Sequence, residues 1–230
     1  MQALLYDVHG NLPALEAVLA DARAAGASRW VLGGDYALFG GWPAETVARL
    51  RELEPALWIR GNGERWTDDP VAAPDQPVVQ DAIAAARAVL GEPLVAELAR
   101  LPAHAADGDT LICHGSPISD VRSFAPEPAE DDVELLAGAT NPRIVFGHTH
   151  LPFRRRAGAV ELVNPGSVGM PFDGDPRAAY ALVHDDGSLE HRRVEYDHEA
   201  SARRVREAFG GATWTDTVAK RIERSRMDVG

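Results

Sequence analysis

The sequence predicts an α/β fold, and three observations carry that reading. Short apolar runs and amphipathic stretches alternate through the first 60 residues, the pattern of βαβ units around a parallel sheet. After Pro152 the period changes to short strand-like runs separated by Asp-Gly turns, so antiparallel strands are added to the parallel ones. Five of the apolar runs lead directly into polar motifs, at the carboxyl ends of strands, where α/β proteins collect ligands.

Each element has a local reason. Residues 3–6, Ala-Leu-Leu-Tyr, form the first strand. Asn11 can cap the helix that follows, and Pro13 falls where no intrahelical N–H is needed. Leu12, Leu15, Val18, Leu19 and Ala22 make its apolar stripe, and Gly26 stops it. Residues 30–33 are the second strand. Residues 44–53 form the second helix with Val47, Leu50 and Leu53 inward, and 57–59 the third strand. Residues 65–76, rich in Asp and Pro, read as a loop. Residues 78–90 and 92–101 read as helices divided by Gly91 and Pro93. A strand at 110–112, a Pro-rich excursion over 116–128, a short helix at 131–136 and a strand at 144–146 follow. Residues 160–163, 179–183 and 189–196 read as antiparallel strands with turns at Asp173-Gly174 and Asp186-Gly187. Helices over about 198–209 and 214–224 close the chain, and the Trp214, Val218, Ile222 stripe docks the last of them. No repeat or low-complexity linker interrupts the sequence. One domain over 1–230 is expected, with the C-terminal helices, about 198–225, packed on it.

Composition sets limits on function. The 230 residues suffice for a full core, and 45% apolar with 25% charged residues is ordinary globular usage. No apolar stretch reaches the roughly 20 residues needed to span a bilayer. The N-terminus shows no basic segment ahead of an apolar run, so no signal peptide is expected. Cys113 is the only cysteine, which excludes an internal disulfide; a cytoplasmic setting is expected. The net charge is −12, from 23 basic and 35 acidic residues, and such a surface disfavours long nucleic acid as a partner. No membrane partner is expected, and self-association is left open.

The motifs are Asp7-Val8-His9, Gly34-Asp35, Gly61-Asn62, His114 and Gly147-His148-Thr149-His150. Together Asp7, His9, Asp35, Asn62, His114, His148 and His150 supply two carboxylates, one amide oxygen and four imidazoles, the ligand inventory of a two-metal hydrolytic centre. An Asp-x-His pair on an extended segment puts both side chains on one face, so Asp7 and His9 can grip one ion together, and His148 and His150 have the same spacing. A carboxylate has two oxygens, and Asp35 is the natural bridge. Two ions ~3.5–4 Å apart can clamp a phosphoryl group and activate water for in-line attack. Asp35, Asn62 and His114 are the residues expected to carry catalysis. Mixed N and O donors suit Mn, Fe, Zn, Ni or Co, with Mn the first expectation.

These residues resemble the calcineurin-like metallophosphoesterases, and within that superfamily the small bacterial and archaeal phosphodiesterases. The family pattern runs Asp-x-His, Gly-Asp, Gly-Asn-His-Asp/Glu, His, Gly-His-x-His, and the match extends from Asp7 to His150. Asn164-Pro165-Gly166-Ser167 and Gly174-Asp175-Pro176-Arg177 are similar to small bacterial members as well. The resemblance implies a four-layer α/β/β/α sandwich of two mixed sheets flanked by helices. It implies one metal site of Asp7, His9, Asp35 and His150 and another of Asp35, Asn62, His114 and His148. It implies a small phosphoester substrate. Two positions depart from the pattern. Gly63 stands where many relatives have a His that meets the phosphate or protonates the leaving group, which favours phosphodiesters over monoesters. Tyr6 stands where relatives often have Ser, and either packs into the sheet or narrows the site.

Phe39, Trp42, Trp66 and Phe172 read as loop anchors, with stacking on a nucleobase or aryl group as the alternative. Arg60 and Arg65 flank Asn62 and either pair on the surface or meet a phosphate oxygen. Cys113 reads as a small buried apolar residue. A metallo-β-lactamase-type site would need Asp at Pro152, and a haloacid dehalogenase-type phosphatase would need Asp at His9. The rival reading from another class is a non-catalytic metal-binding scaffold of the same fold that binds a protein partner. Retention of all seven ligands argues against it.

Overall fold

The structure is a computed structural model that describes residues 1–229. Ten strands and eight α-helices are found among them. The strands are β1 Gln2–Leu5, β2 Arg29–Leu32, β3 Ala56–Trp58, β4 His104–Asp107, β5 Thr110–Cys113, β6 Arg143–Val145, β7 Phe153–Ala157, β8 Val160–Asn164, β9 Ala178–Val183 and β10 Leu189–Val194. The helices are α1 Leu12–Ala24, α2 Pro43–Leu50, α3 Asn62–Asp68, α4 Pro77–Leu90, α5 Glu92–Ala99, α6 Asp132–Leu136, α7 His198–Ala208 and α8 Thr213–Arg224.

Two five-stranded mixed sheets result, ordered β10-β9-β1-β2-β3 and β4-β5-β6-β8-β7. The expected parallel run is present: β1 pairs with β2 and β2 with β3 in parallel, while β9 and β10 add antiparallel strands on the other side of β1. One pairing differs from expectation. β8 lies parallel to β6 on one edge and antiparallel to β7 on the other. The β4 and β7 strands carry no clean alternation of apolar residues, since both lie at sheet edges where only one neighbour is packed. The segment 65–76 is not all loop: α3 runs to Asp68 and a 3-10 turn covers Pro70–Ala72. The buried Glu64 side chain caps that helix from within its first turn, which outweighs the weak helical propensity of the Asp-rich run.

Strand alternation sorts the core into layers. From β1, Ala3 and Leu5 face α1 together with Trp30, Leu32, Tyr180 and Leu182. Leu4 and Tyr6 face the other way and meet Val31, Ile112, Val145 and Val163 between the sheets. Outside the second sheet, Phe124, Leu135, Ile144, Phe146 and Leu162 form a further cluster. The Trp214, Val218, Ile222 stripe is buried against α4 and α7, so the last helix docks as its spacing indicated. α1 begins as expected, with the Asn11 side chain accepting from the Ala14 N–H.

Tyr6 packs into the sheet and does not narrow the site. Its ring is fully buried between the sheets, and its hydroxyl donates to the Val145 carbonyl at 3.2 Å. Gly33 and Gly147 make room for it: a Cβ on Gly33 would lie 2.0 Å from the ring, and one on Gly147 2.6 Å from it. Gly33→Ala is therefore expected to destabilise the fold by about 1–3 kcal/mol or more through overpacking. A thermal melt equal to the parent's would overturn that account of Gly33.

Candidate metal centre

The polar motifs sit just beyond the strand ends, and their backbone is not extended. Asp7, His9, Asp35, His148 and His150 all have φ between 48° and 65°, the left-handed region. The premise that the Asp-x-His and His-x-His pairs converge by strand alternation is thus corrected. β1 ends at Leu5 and β6 at Val145, and the pairs converge through tight left-handed turns. Such a conformation costs a non-glycine residue roughly 1–2 kcal/mol, so surrounding contacts must impose it. Those contacts are visible. The Asp7 N–H donates to the Gly34 carbonyl, the His9 N–H to the Asp35 carbonyl, and the Ser167 hydroxyl to the Asp7 carbonyl at 2.7 Å. Asn164 ties down the other turn, its amide donating to the Gly147 carbonyl and to the Thr149 hydroxyl.

All seven side chains come together. Two groups that could hold an ion are found among the described residues: Asp7, His9 and His150, and Asp7, Asp35 and His114. Nε2 of His9 lies 3.1 Å from Nε2 of His150, and Oδ1 of Asp7 lies 3.5 Å from His150 Nε2 and 3.7 Å from His114 Nε2. The Asp35 carboxylate faces both groups, with Oδ2 3.8 Å from His9 Nε2 and Oδ1 3.5 Å from His114 Nε2. Asn62 completes the second group, its amide 2.8 Å from Nδ1 of His148.

The donor set suits cations. Three of the four imidazoles place Nδ1 on a backbone carbonyl: His9 on Leu38 at 2.9 Å, His114 on Gly33 at 2.8 Å and His150 on Met170 at 2.6 Å. Each must carry its proton on Nδ1, which leaves the Nε2 lone pair facing the cluster. His148 instead presents Nδ1. Oδ1 of Asp7 is buried without any hydrogen-bond partner, an unfavourable state that a cation would relieve. Asn62 behaves alike. Turned with its nitrogen inward, the amide can donate to His148, His114 and the Asp120 carbonyl. Turned with its oxygen inward, it adds one more acceptor to that set, which a cation would balance.

Electrostatics agree with a site built for cations. Burial, reinforced by the neighbouring Asp35 carboxylate, pushes Asp7 up to about 8, and burial with Glu64 nearby raises Asp35 as well. Burial pulls His9 down to about 3 and His148 to about 4, and drives His150 well below its ordinary value. These three imidazoles are held neutral, the state that metal binding requires.

Glu64 holds the Asp35 loop, a role its sequence position did not disclose. One oxygen accepts the Asp35 and Gly61 N–H groups and the other accepts that of Tyr36, each at 2.8 Å. Glu64→Gln should disrupt this clamp, since an amide nitrogen cannot accept. Metal affinity is expected to fall about 10–100-fold, the usual scale for residues that orient ligands, as read by calorimetric titration with Mn. Parent-like affinity would remove Glu64 from that role. The aromatic loop residues are anchors: Phe172 stacks on His150 at 4.4 Å, Arg204 covers Trp42, and Phe39 and Trp66 pack against the cluster that holds α8. Cys113 is buried, and burial pushes its thiol up.

A cavity of about 420 Å³ opens beside the cluster, lined by His114, Arg60, Arg65 and the loop 116–121. A larger one, about 730 Å³, lies at the β3 edge around Trp58 and Leu101 and shares no residue with the cluster. The first is the one placed to admit a substrate to these side chains.

A family model described as the calcineurin-like phosphoesterase superfamily domain matches residues 2–188. The phosphodiesterase YfcE of Escherichia coli (strain K12) is 31% identical over 194 residues, 78% of this chain and 85% of its own. The crystal structure of a metallophosphoesterase from Sphaerobacter thermophilus matches with a TM-score of 0.83 at 29% identity, covering 97% of this chain and 98% of its own. That of the hypothetical protein PH1004 from Pyrococcus horikoshii OT3 matches with a TM-score of 0.83 at 19% identity, over 96% and 99%, and shows the same fold.

Proposed function

Because the chain belongs to the calcineurin-like phosphoesterase superfamily, we propose that it is a two-metal phosphodiesterase acting on a small phosphoester. The observation that carries this is the convergence of seven donor side chains around an unpartnered buried carboxylate oxygen, with three imidazoles oriented by backbone carbonyls. Asp7, His9, Asp35 and His150 would hold one ion, and Asp35, Asn62, His114 and His148 the other. The geometric groups both include Asp7, yet Asp35 is the better bridge. Its two oxygens face different imidazoles, whereas a single oxygen of Asp7, Oδ1, faces both His114 and His150.

Divalent ions there would supply Lewis acidity toward a phosphoryl oxygen and activation of the attacking water. The chain's own residues do the positioning. The Gly63 N–H donates to Asp35 Oδ1 at 2.6 Å and fixes the carboxylate plane. Backbone carbonyls hold three imidazoles in one orientation, so little reorganisation is left for the reaction. YfcE is named a phosphodiesterase, and the lack of an imidazole at Gly63 favours the same substrate class. A protein-binding scaffold would need none of this set. Mn is the first ion to test, and single-domain organisation and a cytoplasmic setting belong to the same reading. The deciding experiment is hydrolysis of bis(p-nitrophenyl) phosphate with Mn, Fe, Zn, Ni or Co after chelation. Activity should return with metal, and metal-independent turnover would sink the proposal.

The buried carboxylates also set a pH dependence. Asp7, raised from 3.8 to about 8, stabilises the metal-free fold fully below its unfolded value and loses that contribution as pH rises toward 8. The depressed His9 and His148 act oppositely, losing stability as pH falls from 6.5 toward about 3 and about 4. Above pH 6.5 the histidine effect fades and the carboxylate effect dominates. The chelated protein should melt lower at pH 8 than at pH 6.5, and added Mn should raise the melting temperature more at pH 8, where less proton must be displaced. Equal melting of the chelated protein at both values would contradict the buried-carboxylate account.

A further inference from the structure

The cavity beside His114 carries one inference more, and it rests on the phosphodiesterase reading. At about 420 Å³ it is larger than a bare phosphate needs and falls within the roughly 300–1,000 Å³ of small-molecule sites. Of the clustered donors, His114 is the one that lines it, so a group bound there lies against the second proposed ion site.

Two guanidinium groups face this cavity in different states. Arg65 donates from Nε and Nη2 to the two carboxylate oxygens of Asp120, at 2.6 and 2.7 Å. Arg60 approaches Asp120 no closer than 3.8 Å, and its guanidinium has no hydrogen bond to a described residue. Arg65 and Asp120 cancel as a unit, which leaves one net positive charge on Arg60. That side chain is only 26% exposed, so it is partly desolvated without a matched acceptor. Its planar fork suits a carboxylate or a phosphate. At the rim, Ile118 and Val121 leave apolar surface, 47% and 41% exposed. An anion-binding fork, an apolar rim and an imidazole of the metal cluster thus line one space.

We propose that this cavity seats one arm of the phosphodiester and selects an arm that carries a second anionic group, a carboxylate or a terminal phosphate, held by Arg60. The scissile phosphorus lies on the His114 side, and the organic part of the arm covers Ile118 and Val121. Arg60 is then a specificity-determining residue among diesters.

The test uses p-nitrophenyl diesters with one leaving group and three arms: phenyl, 4-carboxyphenyl and 4-(trimethylammonio)phenyl. In the parent the carboxylated arm should lower KM roughly 10- to 100-fold against phenyl, the scale of a charge-assisted hydrogen bond. The cationic arm should be the poorest. Arg60→Gln should bring the carboxylate-to-phenyl ratio close to one, and Arg60→Lys should keep part of it as a point charge. Equal KM for the phenyl and carboxylated arms, a preference for the cationic arm, or a carboxylate preference that survives Arg60→Gln would each overturn the proposal. Matched diarylphosphinates, which contain no ester bond, give the same comparison by calorimetry. Selective binding of the carboxylated phosphinate without turnover of any diester would overturn the phosphodiesterase reading and leave the Arg60 pocket standing. Turnover without arm selectivity would do the reverse. Supplying the terminal anion as a phosphate in place of the carboxylate distinguishes the two sources.

Discussion

Replacing Asp35 with alanine should abolish diester hydrolysis, with a loss on the order of 10³-fold or more; removal of one charge-stabilising group from an active site already costs about 10²–10³-fold. Asp35 has the larger effect because both of its oxygens are committed, one toward His9 and one toward His114. Its removal would also leave the Gly63 N–H without an acceptor. His114→Ala should be nearly as severe, since His114 belongs to the second proposed site and also lines the cavity. The fold should survive both changes, because the two side chains lie at strand ends outside the apolar clusters. Circular dichroism and a melt at the chelated parent's value, with the variants chelated alike, would establish that. Metal analysis of the same samples should show fewer than two ions per chain. Full activity in either variant, with native structure, would refute the two-metal assignment.

The second large effect concerns the leaving group. Gly63 offers no acid, so an aryloxide must depart with its charge, and rates for aryl diesters should fall steeply as leaving-group pKa rises. General acid catalysis is typically worth about 10²–10⁴-fold, and that is the span expected between activated and poor leaving groups beyond their intrinsic difference. Diesters should be favoured over matched monoesters. The measurement is a linear free-energy series on both classes. A shallow slope, or a monoester preference, would show that another side chain supplies the proton. The structure narrows the choice of that side chain. Both Glu64 oxygens accept backbone N–H groups, and Arg65 is held by Asp120. His104, on the wall of the cavity beside His114, is the first to replace. Restoring a histidine at Gly63 is not a clean test. An added Cβ would lie 2.9 Å from Asp35 Oδ1 and 3.1 Å from its Cγ, so Gly63→His should displace the Asp35 carboxylate and weaken metal binding before it adds an acid.

Much of this was legible in the residues themselves. The parallel β1-β2-β3 run, the α1 cap at Asn11 and the burial of the Trp214, Val218, Ile222 stripe all follow from periodicity and capping, which act over a few residues. The seven candidate ligands were legible too, because each motif follows an apolar run that ends at the same side of a sheet. Three things depended on contacts between distant segments. The left-handed turns at Asp7, His9, His148 and His150 are imposed by Gly34, Asp35, Ser167 and Asn164, which lie far off along the chain; spacing alone suggested extended backbone there. The edge strands β4 and β7 exist because a neighbour offers them a hydrogen-bonding edge, not because their own residues alternate. The different states of Arg60 and Arg65 were undecided until Asp120, 55 residues beyond Arg65, satisfied one guanidinium and left the other facing the cavity. The sequence by itself determined which donors are available and where the central strands and the long helices lie, since those depend on local chemistry. Only the tertiary structure decided which way each donor points and which charges remain unpaired, since both are set by partners that the chain brings together only by folding.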